Sequence, residues 1–176
     1  MNRKYLAETY ENTLYANNQC KRWWADPRIL VGGSITSSTD WKHLQRAFGI
    51  EAVLSVESER DDDDKVTGPY LYVPVLDDGL PKPLEWWKAC LEFAKENLDE
   101  GKKLYIHGQT GGSRSVAVAY GVLRFVYGFN REEAIEKIVR CLPRYGTHPA
   151  HVNYMMSAEY AIEKLTPVAA DDTLPA

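Results

Sequence analysis

A nine-residue segment constrains the fold of this chain more than any other feature. It reads His-Gly-Gln-Thr-Gly-Gly-Ser-Arg-Ser over residues 107–115, between an apolar run at 104–106 and a helix-like apolar run at 116–126. A strand that enters a glycine-rich turn and then opens a helix directs successive backbone N–H groups at one point, where the helix dipole adds positive potential. Arg114 supplies a planar set of donors that can bind two oxygens of one anion. The segment therefore predicts a phosphate-binding loop.

Two other glycine-rich motifs do not fit the same residues. A nucleotide-binding Walker loop needs Gly-x4-Gly-Lys-Ser/Thr, but counting from Gly108 places Ser113 at the second glycine and Arg114 at the lysine. A serine-hydrolase elbow needs Gly-x-Ser-x-Gly, and the sequence after Ser113 has no such glycine. The sequence therefore indicates neither a P-loop nucleoside triphosphatase nor a serine hydrolase.

Hydrophobic periodicity along the chain alternates between strand and helix. The strands are predicted at 28–31, 52–56, 70–75 and 103–106, and the helices are predicted from a cap at Ser38 or Thr39 to Phe48, at 84–98, from a capping box at 130–133 to Pro143, and from 148–149 to about Leu165. This alternation predicts an α/β layer with helices on both faces of a central sheet. The ligand site of such a sheet lies where strand carboxyl ends meet helix N-termini, which is where the loop falls.

The loop also resembles a known family. His-Cys-x5-Arg-Ser is the signature of the cysteine-based protein-tyrosine phosphatases, and residues 107–115 match it except that Gly108 stands at the cysteine. Ordered blocks at 29–32, 48–56 and 70–77 resemble those of dual-specificity phosphatases, so the resemblance covers roughly residues 28–160. It implies one protein-tyrosine-phosphatase-like α/β domain of the dual-specificity type, with a central sheet flanked by helices on both faces.

The resemblance also implies roles for the loop residues. The cysteine absent at Gly108 would attack phosphorus as a thiolate, and glycine has no atom that can do so. His107 would organise the loop from beneath, with a plain core histidine as the alternative, and Ser115 would donate a hydrogen bond to the departing thiolate or else cap the helix. The predicted phosphate-binding residues are Gln109, Thr110, Gly111, Gly112, Ser113 and Arg114.

A general acid is expected on a loop that precedes the phosphate-binding loop in sequence, because the leaving oxygen needs a proton. Counting from Pro74 in the family pattern selects Asp77, whereas counting back from Gly79 selects Asp78. We favour Asp77, and a turn-forming Asp-Asp-Gly sequence is the alternative reading.

Two functions remain open on these residues. In the first, the chain is a protein phosphatase for phosphotyrosine, phosphoserine or phosphothreonine that binds phosphate but is inactive because a substitution at Gly108 removed the nucleophile. In the second, it resembles the natural pseudophosphatases of the phosphoserine/threonine/tyrosine-interacting type and acts as a phosphoprotein-binding module. Retention of Asp77, His107 and Arg114 fits an active ancestor, although a pseudophosphatase can also keep them.

The loop and the composition suggest what the chain binds. Gln109, Thr110 and Gly112 stand where family members that act on phosphoinositides commonly carry lysines, so a phosphorylated protein or peptide is preferred, with a small phosphorylated metabolite as the alternative. The net charge of −4 argues against nucleic acid and anionic membranes as partners. We expect no metal and no cofactor. Three widely spaced cysteines and the lack of a long apolar segment predict a cytoplasmic protein, and we expect a monomer.

The ends and one acidic run complete the predicted organisation. Residues 1–25 are predicted as an N-terminal extension with a helical repeat of Leu6, Tyr10 and Leu14, residues 26–165 as the phosphatase-like domain, and residues 166–176 as a disordered tail. The run at 61–64, four consecutive aspartates, is predicted to be a solvated connection between two strands, since adjacent carboxylates repel one another and this spacing does not converge on a metal.

Overall fold

A five-stranded mixed sheet lies at the centre of the protein. The structure, a computed structural model, describes residues 22–141 and 152–167. The strands are β1 (Arg22–Asp26), β2 (Ile29–Gly32), β3 (Ala52–Ser55), β4 (Tyr70–Tyr72) and β5 (Leu104–His107). They lie in the order β1-β2-β5-β3-β4, with β1 antiparallel to β2 and the other pairs parallel. The carboxyl ends of the parallel strands therefore share one edge of the sheet.

Five helices in the described part of the chain flank this sheet. They are α1 (Ser38–Phe48), α2 (Leu84–Asp99), α3 (Arg114–Phe125), α4 (Arg131–Cys141) and α5 (Val152–Leu165). Residues of α2 to α5 share one hydrophobic core with one face of the sheet, while α1 packs its buried face on the other. The predicted α/β architecture with helices on both faces is confirmed.

The alternation of side chains along the central strands creates these two cores. Leu30, Val53 and Tyr105 point toward α1, whereas Val31, Leu54 and Ile106 point toward α2 to α5. All six are fully buried. Strands covered on both faces are apolar without interruption, as is typical of parallel sheets.

Local signals explain where two of the helices begin. Asn130 Oδ1 accepts a hydrogen bond of 2.9 Å from the N–H of Glu133, and the Glu133 carboxylate accepts one of 2.8 Å from the N–H of Asn130, so the predicted capping box is present. The predicted caps of α1, Ser38 or Thr39, lie one and two residues after the observed one. Ser37 is the N-cap, because its hydroxyl accepts the hydrogen bond from the N–H of Asp40.

Several strand boundaries differ from the prediction. The first strand was not predicted. All of it except Asp26 falls in the range 1–25 that was assigned to an N-terminal extension, and it pairs with β2. The predicted strand at 70–75 ends at Tyr72, ahead of Pro74, which has no N–H to donate to a ladder. The helical repeat at 6–14, Pro143, the helix start at 148–149 and the tail beyond 167 lie outside the described residues. None of the helices described is long and apolar enough to cross a bilayer.

Candidate functional site

The phosphate-binding segment lies where the sheet topology places it, at the carboxyl end of β5. The N–H of Val56 donates to the carbonyl of His107 at 2.9 Å, and the N–H of Gly108 donates to the carbonyl of Gly32 at 3.3 Å. Thr110 forms an isolated bridge with Gly33. The segment is thus fastened to the ends of both neighbouring strands before it turns into α3.

Gly111 is required by the backbone. Its φ is +78°, in the region that favours glycine, and a Cβ there would lie 2.7 Å from the carbonyl carbon of Gly32. The loop can pass this close to β2 only because residue 111 has no side chain.

Gly108 differs from Gly111 because nothing in the backbone requires glycine there. Its φ is not positive, and a Cβ would meet Arg114 Nε and Ser115 Oγ, each at 3.9 Å, an ordinary van der Waals distance. The Ser115 hydroxyl is buried, and it has no hydrogen-bond partner in the described residues. Ser115 is also not the helix cap, because the N-cap of α3 is Ser113. Arg114 and Ser115 therefore converge on the side-chain position of residue 108.

Arg114 opens α3 and is almost fully buried. Its guanidinium donates to the carbonyl of Val75 at 2.8 Å and to the Ser58 hydroxyl at 3.1 Å, and it reaches both oxygens of Glu59 at 3.2 to 3.4 Å. Burial opposes ionisation of Glu59, but the hydrogen bonds from Arg114 outweigh it and hold the pKa of that carboxyl below its usual 4.5. Arg114 is fixed at the rim of the loop by groups that follow β3 and β4.

The structure separates the two candidate acids. Asp77 faces the loop, because its Oδ1 accepts hydrogen bonds from the Ser113 hydroxyl at 3.1 Å and the Tyr154 hydroxyl at 2.8 Å, and its Oδ2 lies 3.8 Å from Arg114 Nε. Asp78 is engaged elsewhere, since it pairs with Lys82 and accepts a turn hydrogen bond from the N–H of Leu80. These contacts hold the pKa of Asp78 below its ordinary 3.8. The turn-forming role therefore falls to Asp78, and Asp77 is the carboxyl beside the loop.

His107 lies beneath the loop. Its ring is fully buried and stacks on Tyr105 with the centroids 5.4 Å apart, and its Nδ1 is 3.2 Å from the carbonyl oxygen of Gly108. Burial lowers the pKa of His107 from 6.5 to about 4, so the ring is neutral near pH 7.

Three of the four residues in the acidic run are exposed, as the sequence predicted, and one is not. Asp61, Asp63 and Asp64 are exposed, but Asp62 is fully buried, with its Oδ2 3.4 Å from His107 Nε2 and its Oδ1 3.0 Å from Lys65 Nζ. In a third contact, the N–H of Asp62 donates to the Tyr70 hydroxyl at 2.9 Å, which holds this turn against β4. The prediction fails at this one residue because neighbouring cations and a buried ring remove the need for water.

The other predicted loop residues line the turn between β5 and α3. Gln109 and Thr110 are exposed, Gly112 and Ser113 are half-buried, and the Gln109 carbonyl accepts a hydrogen bond of 3.1 Å from the N–H of Ser34. Within residues 22–141 and 152–167, no group of three or more histidine, cysteine or acidic side chains is arranged to hold a metal ion.

Sequence comparison finds relatives among the protein phosphatases. No family model matches the chain. It is 32% identical over 116 residues to human dual specificity protein phosphatase 12 and 27% identical over 106 residues to the protein phosphatase Slingshot of Drosophila melanogaster. These matches cover 64% and 60% of this chain but only 34% and 10% of the relatives. The chain thus spans about a third or less of the length of the curated relatives that it matches.

Solved structures decide the fold. Human DUSP28 superposes with a TM-score of 0.68 at 19% identity, over 82% of this chain and 94% of that one. The chain has a dual-specificity-phosphatase fold. PTPMT1 in complex with PI(5)P gives a TM-score of 0.67 at 18% identity, over 80% and 93% of the two chains. The human tyrosine phosphatase-like serine/threonine/tyrosine-interacting protein gives 0.64 at 19% identity, over 82% and 98%.

Some residues around this dual-specificity-phosphatase-like loop were not identified from the sequence. Glu57 and Glu59 lie in the segment just after β3. The rule that ligand sites form at the carboxyl ends of parallel strands could have found them. Tyr154 reaches Asp77 from α5, at a separation of 77 residues, and no local pattern signals that contact.

Proposed function

We propose that this domain binds phosphorylated protein segments at residues 108–114 and that it is inactive as a phosphatase because Gly108 occupies the nucleophile position. Loop N–H groups and the α3 dipole would hold the phosphate oxygens, and Arg114 would bind two of them. A thiolate about 4 Å from a phosphate would repel it by up to ~4 kcal/mol per charge pair at an effective dielectric constant near 20. Glycine removes that repulsion, so binding without turnover suits this sequence.

The observation that carries the proposal is the convergence on residue 108. Arg114 Nε and the unpartnered hydroxyl of Ser115 both lie 3.9 Å from the Cβ position of that residue. In the resembling family, these residue types serve the phosphate and the thiolate. Their arrangement around an empty side-chain position supports descent from a cysteine-dependent phosphatase.

The cysteines in the described residues offer no substitute nucleophile. Cys90 lies in the core on α2, where burial raises the pKa of its thiol, and Cys141 is half-buried at the end of α4. A thiol must be ionised and accessible to attack phosphorus. Neither meets both conditions.

A phosphorylated protein is the ligand class that the loop favours. Glu59 and Asp77 border Arg114, so the rim already carries negative charge. A polyphosphorylated headgroup would bring several more charges to a loop that contains no lysine. One structural neighbour is described in complex with the phosphoinositide PI(5)P, and phosphoinositides therefore belong among the ligands to be tested.

Two origins of Gly108 fit this proposal. The retained Asp77, His107 and Arg114 support an active phosphatase as the ancestor, with a substitution at residue 108 as the cause of inactivity. A natural pseudophosphatase is the second candidate, favoured by the structural likeness to the human tyrosine phosphatase-like serine/threonine/tyrosine-interacting protein.

Titration calorimetry with a phosphopeptide and its unphosphorylated twin tests the proposal. We expect binding of the phosphorylated form only, and at least a tenfold loss of affinity in Arg114→Ala, because charge-assisted hydrogen bonds contribute about 1.5–3 kcal/mol each. Arg140→Ala is the matched control, since Arg140 is exposed on α4 and pairs with Glu136. Equal affinity of the parent and Arg114→Ala would refute the proposed site, and p-nitrophenyl phosphate turnover by the parent chain would refute its inactivity.

A further inference from the structure

Asp62 and His107 form a buried pair beneath the loop. Both side chains are fully buried, and Asp62 Oδ2 lies 3.4 Å from His107 Nε2. In the described residues, neither of these two atoms has a hydrogen-bond partner. Two buried polar atoms that face each other in this way are costly unless a proton lies between them.

The opposite edge of the ring explains which nitrogen carries hydrogen. His107 Nδ1 is 3.2 Å from the carbonyl oxygen of Gly108, which can only accept. A neutral imidazole has one N–H, and this contact assigns it to Nδ1. Nε2 is then an acceptor, and Asp62 Oδ2 is the atom that faces it.

Four other charged groups surround the pair. Lys65 Nζ lies 3.0 Å and Arg60 Nε 3.7 Å from Asp62 Oδ1, while Glu57 Oε2 lies 3.9 Å from His107 Nδ1. Arg22 adds positive potential near the ring. The carboxyls of Asp62 and Glu57 thus share this buried space with the ring of His107.

We infer that Asp62 is a positioning residue for the phosphate-binding loop. A proton between Asp62 Oδ2 and His107 Nε2 keeps the ring hydrogen on Nδ1, where it holds the carbonyl of Gly108 beneath the loop. The N–H of the same trans peptide, which belongs to Gln109, then points the opposite way, toward the phosphate. This inference rests on the proposed function of the loop.

A second carbonyl of the loop is held in the same manner, which supports this inference. The Gln109 carbonyl accepts hydrogen bonds from the N–H of Ser34 at 3.1 Å and from its hydroxyl at 3.3 Å. The Ser34 hydroxyl also contacts the buried carboxyl of Glu57. Two successive peptide planes are thus oriented from beneath by groups that would not touch the phosphate.

Substitutions at Asp62 separate positioning from simple charge. Asp62→Ala leaves Nε2 without a donor, and we expect the affinity for inorganic phosphate to fall about fivefold, the effect of one misdirected hydrogen bond. Asp62→Asn can donate its amide N–H to Nε2, so its affinity should stay within twofold of the parent. If Asp62 acted only as a negative charge, both variants would bind phosphate more tightly. Asp63→Asn, at an exposed position in the same run, is the control.

The tautomer of His107 provides the second measurement. Nitrogen-15 NMR of the full chain should show hydrogen on Nδ1 in the parent and in Asp62→Asn, and a shift toward Nε2 in Asp62→Ala. If Asp62→Ala does not fold, the parent and Asp62→Asn still test the assignment, because hydrogen on Nε2 alone in the parent would overturn it. Unchanged or tighter phosphate binding by a folded Asp62→Ala protein would overturn the positioning role of Asp62. A parent chain that binds no phosphate would instead contradict the proposed function.

Discussion

The hydroxyl of Ser113 donates a hydrogen bond of 3.1 Å to Asp77 Oδ1 across 36 residues of sequence. Ser113 is the N-cap of α3, yet its side chain makes no cap hydrogen bond and turns to Asp77 instead. The Tyr154 hydroxyl donates to the same oxygen from α5. Asp77 is therefore held by hydrogen bonds from two elements, α3 and α5. Its carboxyl thus lies beside any phosphate that binds in the loop.

Introducing the missing thiol should create a phosphatase. Gly108→Cys places its Cβ at ordinary contact distances from Arg114 and Ser115, so we expect the fold to tolerate it. The thiolate would be stabilised by the loop N–H groups and by Ser115, and we expect p-nitrophenyl phosphate hydrolysis at least about a thousandfold above the parent, or ~4 kcal/mol of barrier. Gly108→Ser is the control of similar size. An inert but phosphate-binding Gly108→Cys protein would favour the binding-module explanation.

Asp77 should act as the general acid of that restored enzyme. A general acid must be protonated, so activity should fall toward basic pH, while the acidic limb reflects protonation of the thiol. Asp77→Asn in the Gly108→Cys background should remove the basic limb and slow alkyl phosphates more than aryl phosphates, because poorer leaving groups depend more on the acid. Steady-state kinetics against pH measures both effects. Asp78→Asn is the matched control, and loss of the basic limb there instead would make Asp78 the acid.

The sequence predicts those features that depend on neighbouring residues or on sheet topology. The alternating periodicities and the segment at 107–115 were enough to predict the α/β layers and the position of the loop, because parallel strands bring their carboxyl ends to one edge. The capping box at Asn130 is equally local. By contrast, β1 depends on pairing with β2 and carries a mixed pattern of buried and half-buried residues, which gives no clean alternation.

The environment of the loop was less predictable than its position. Asp62 has the same side chain as Asp61, Asp63 and Asp64, and only the folded chain places a histidine ring beside it. The contact of Tyr154 with Asp77 likewise joins elements far apart in sequence. Composition therefore predicted solvation for the whole run, because the turn that buries Asp62 against His107 joins parts of the chain that are far apart in sequence.

Replacement by alanine should destabilise the protein at Gly111 much more than at Gly108. Gly111→Ala would place a Cβ 2.7 Å from the carbonyl carbon of Gly32 at a φ of +78°, so we expect a loss of about 2–4 kcal/mol in the free energy of unfolding. Gly108→Ala meets neither obstacle, and its effect should stay within ~1 kcal/mol. Urea denaturation measures both. Equal destabilisation by the two substitutions would mean that the loop lies differently against β2.

The ion pair between α3 and α5 should make stability depend on pH in the acid range. Arg124 donates to both oxygens of Glu159 at 2.7 Å, and the Tyr120 hydroxyl donates to the same carboxylate. The hydrogen bonds from Arg124 lower the pKa of Glu159 below its ordinary 4.5. A carboxyl with a depressed pKa in the folded state contributes stability above its unfolded pKa, and that contribution is lost as pH falls through the folded value.

Glu159→Gln should therefore lower the free energy of unfolding at pH 7 by about 1–3 kcal/mol, the range for a hydrogen-bonded charged group. The gap between parent and variant should narrow below pH 4.5 as the parent carboxyl protonates, because both side chains are then neutral. Urea denaturation at a series of pH values measures the gap, and Glu163→Gln, at an exposed position on the same helix, should differ little from the parent at any pH. A gap that stays constant from neutral to strongly acidic pH would mean that Glu159 stabilises α5 through packing rather than through its charge.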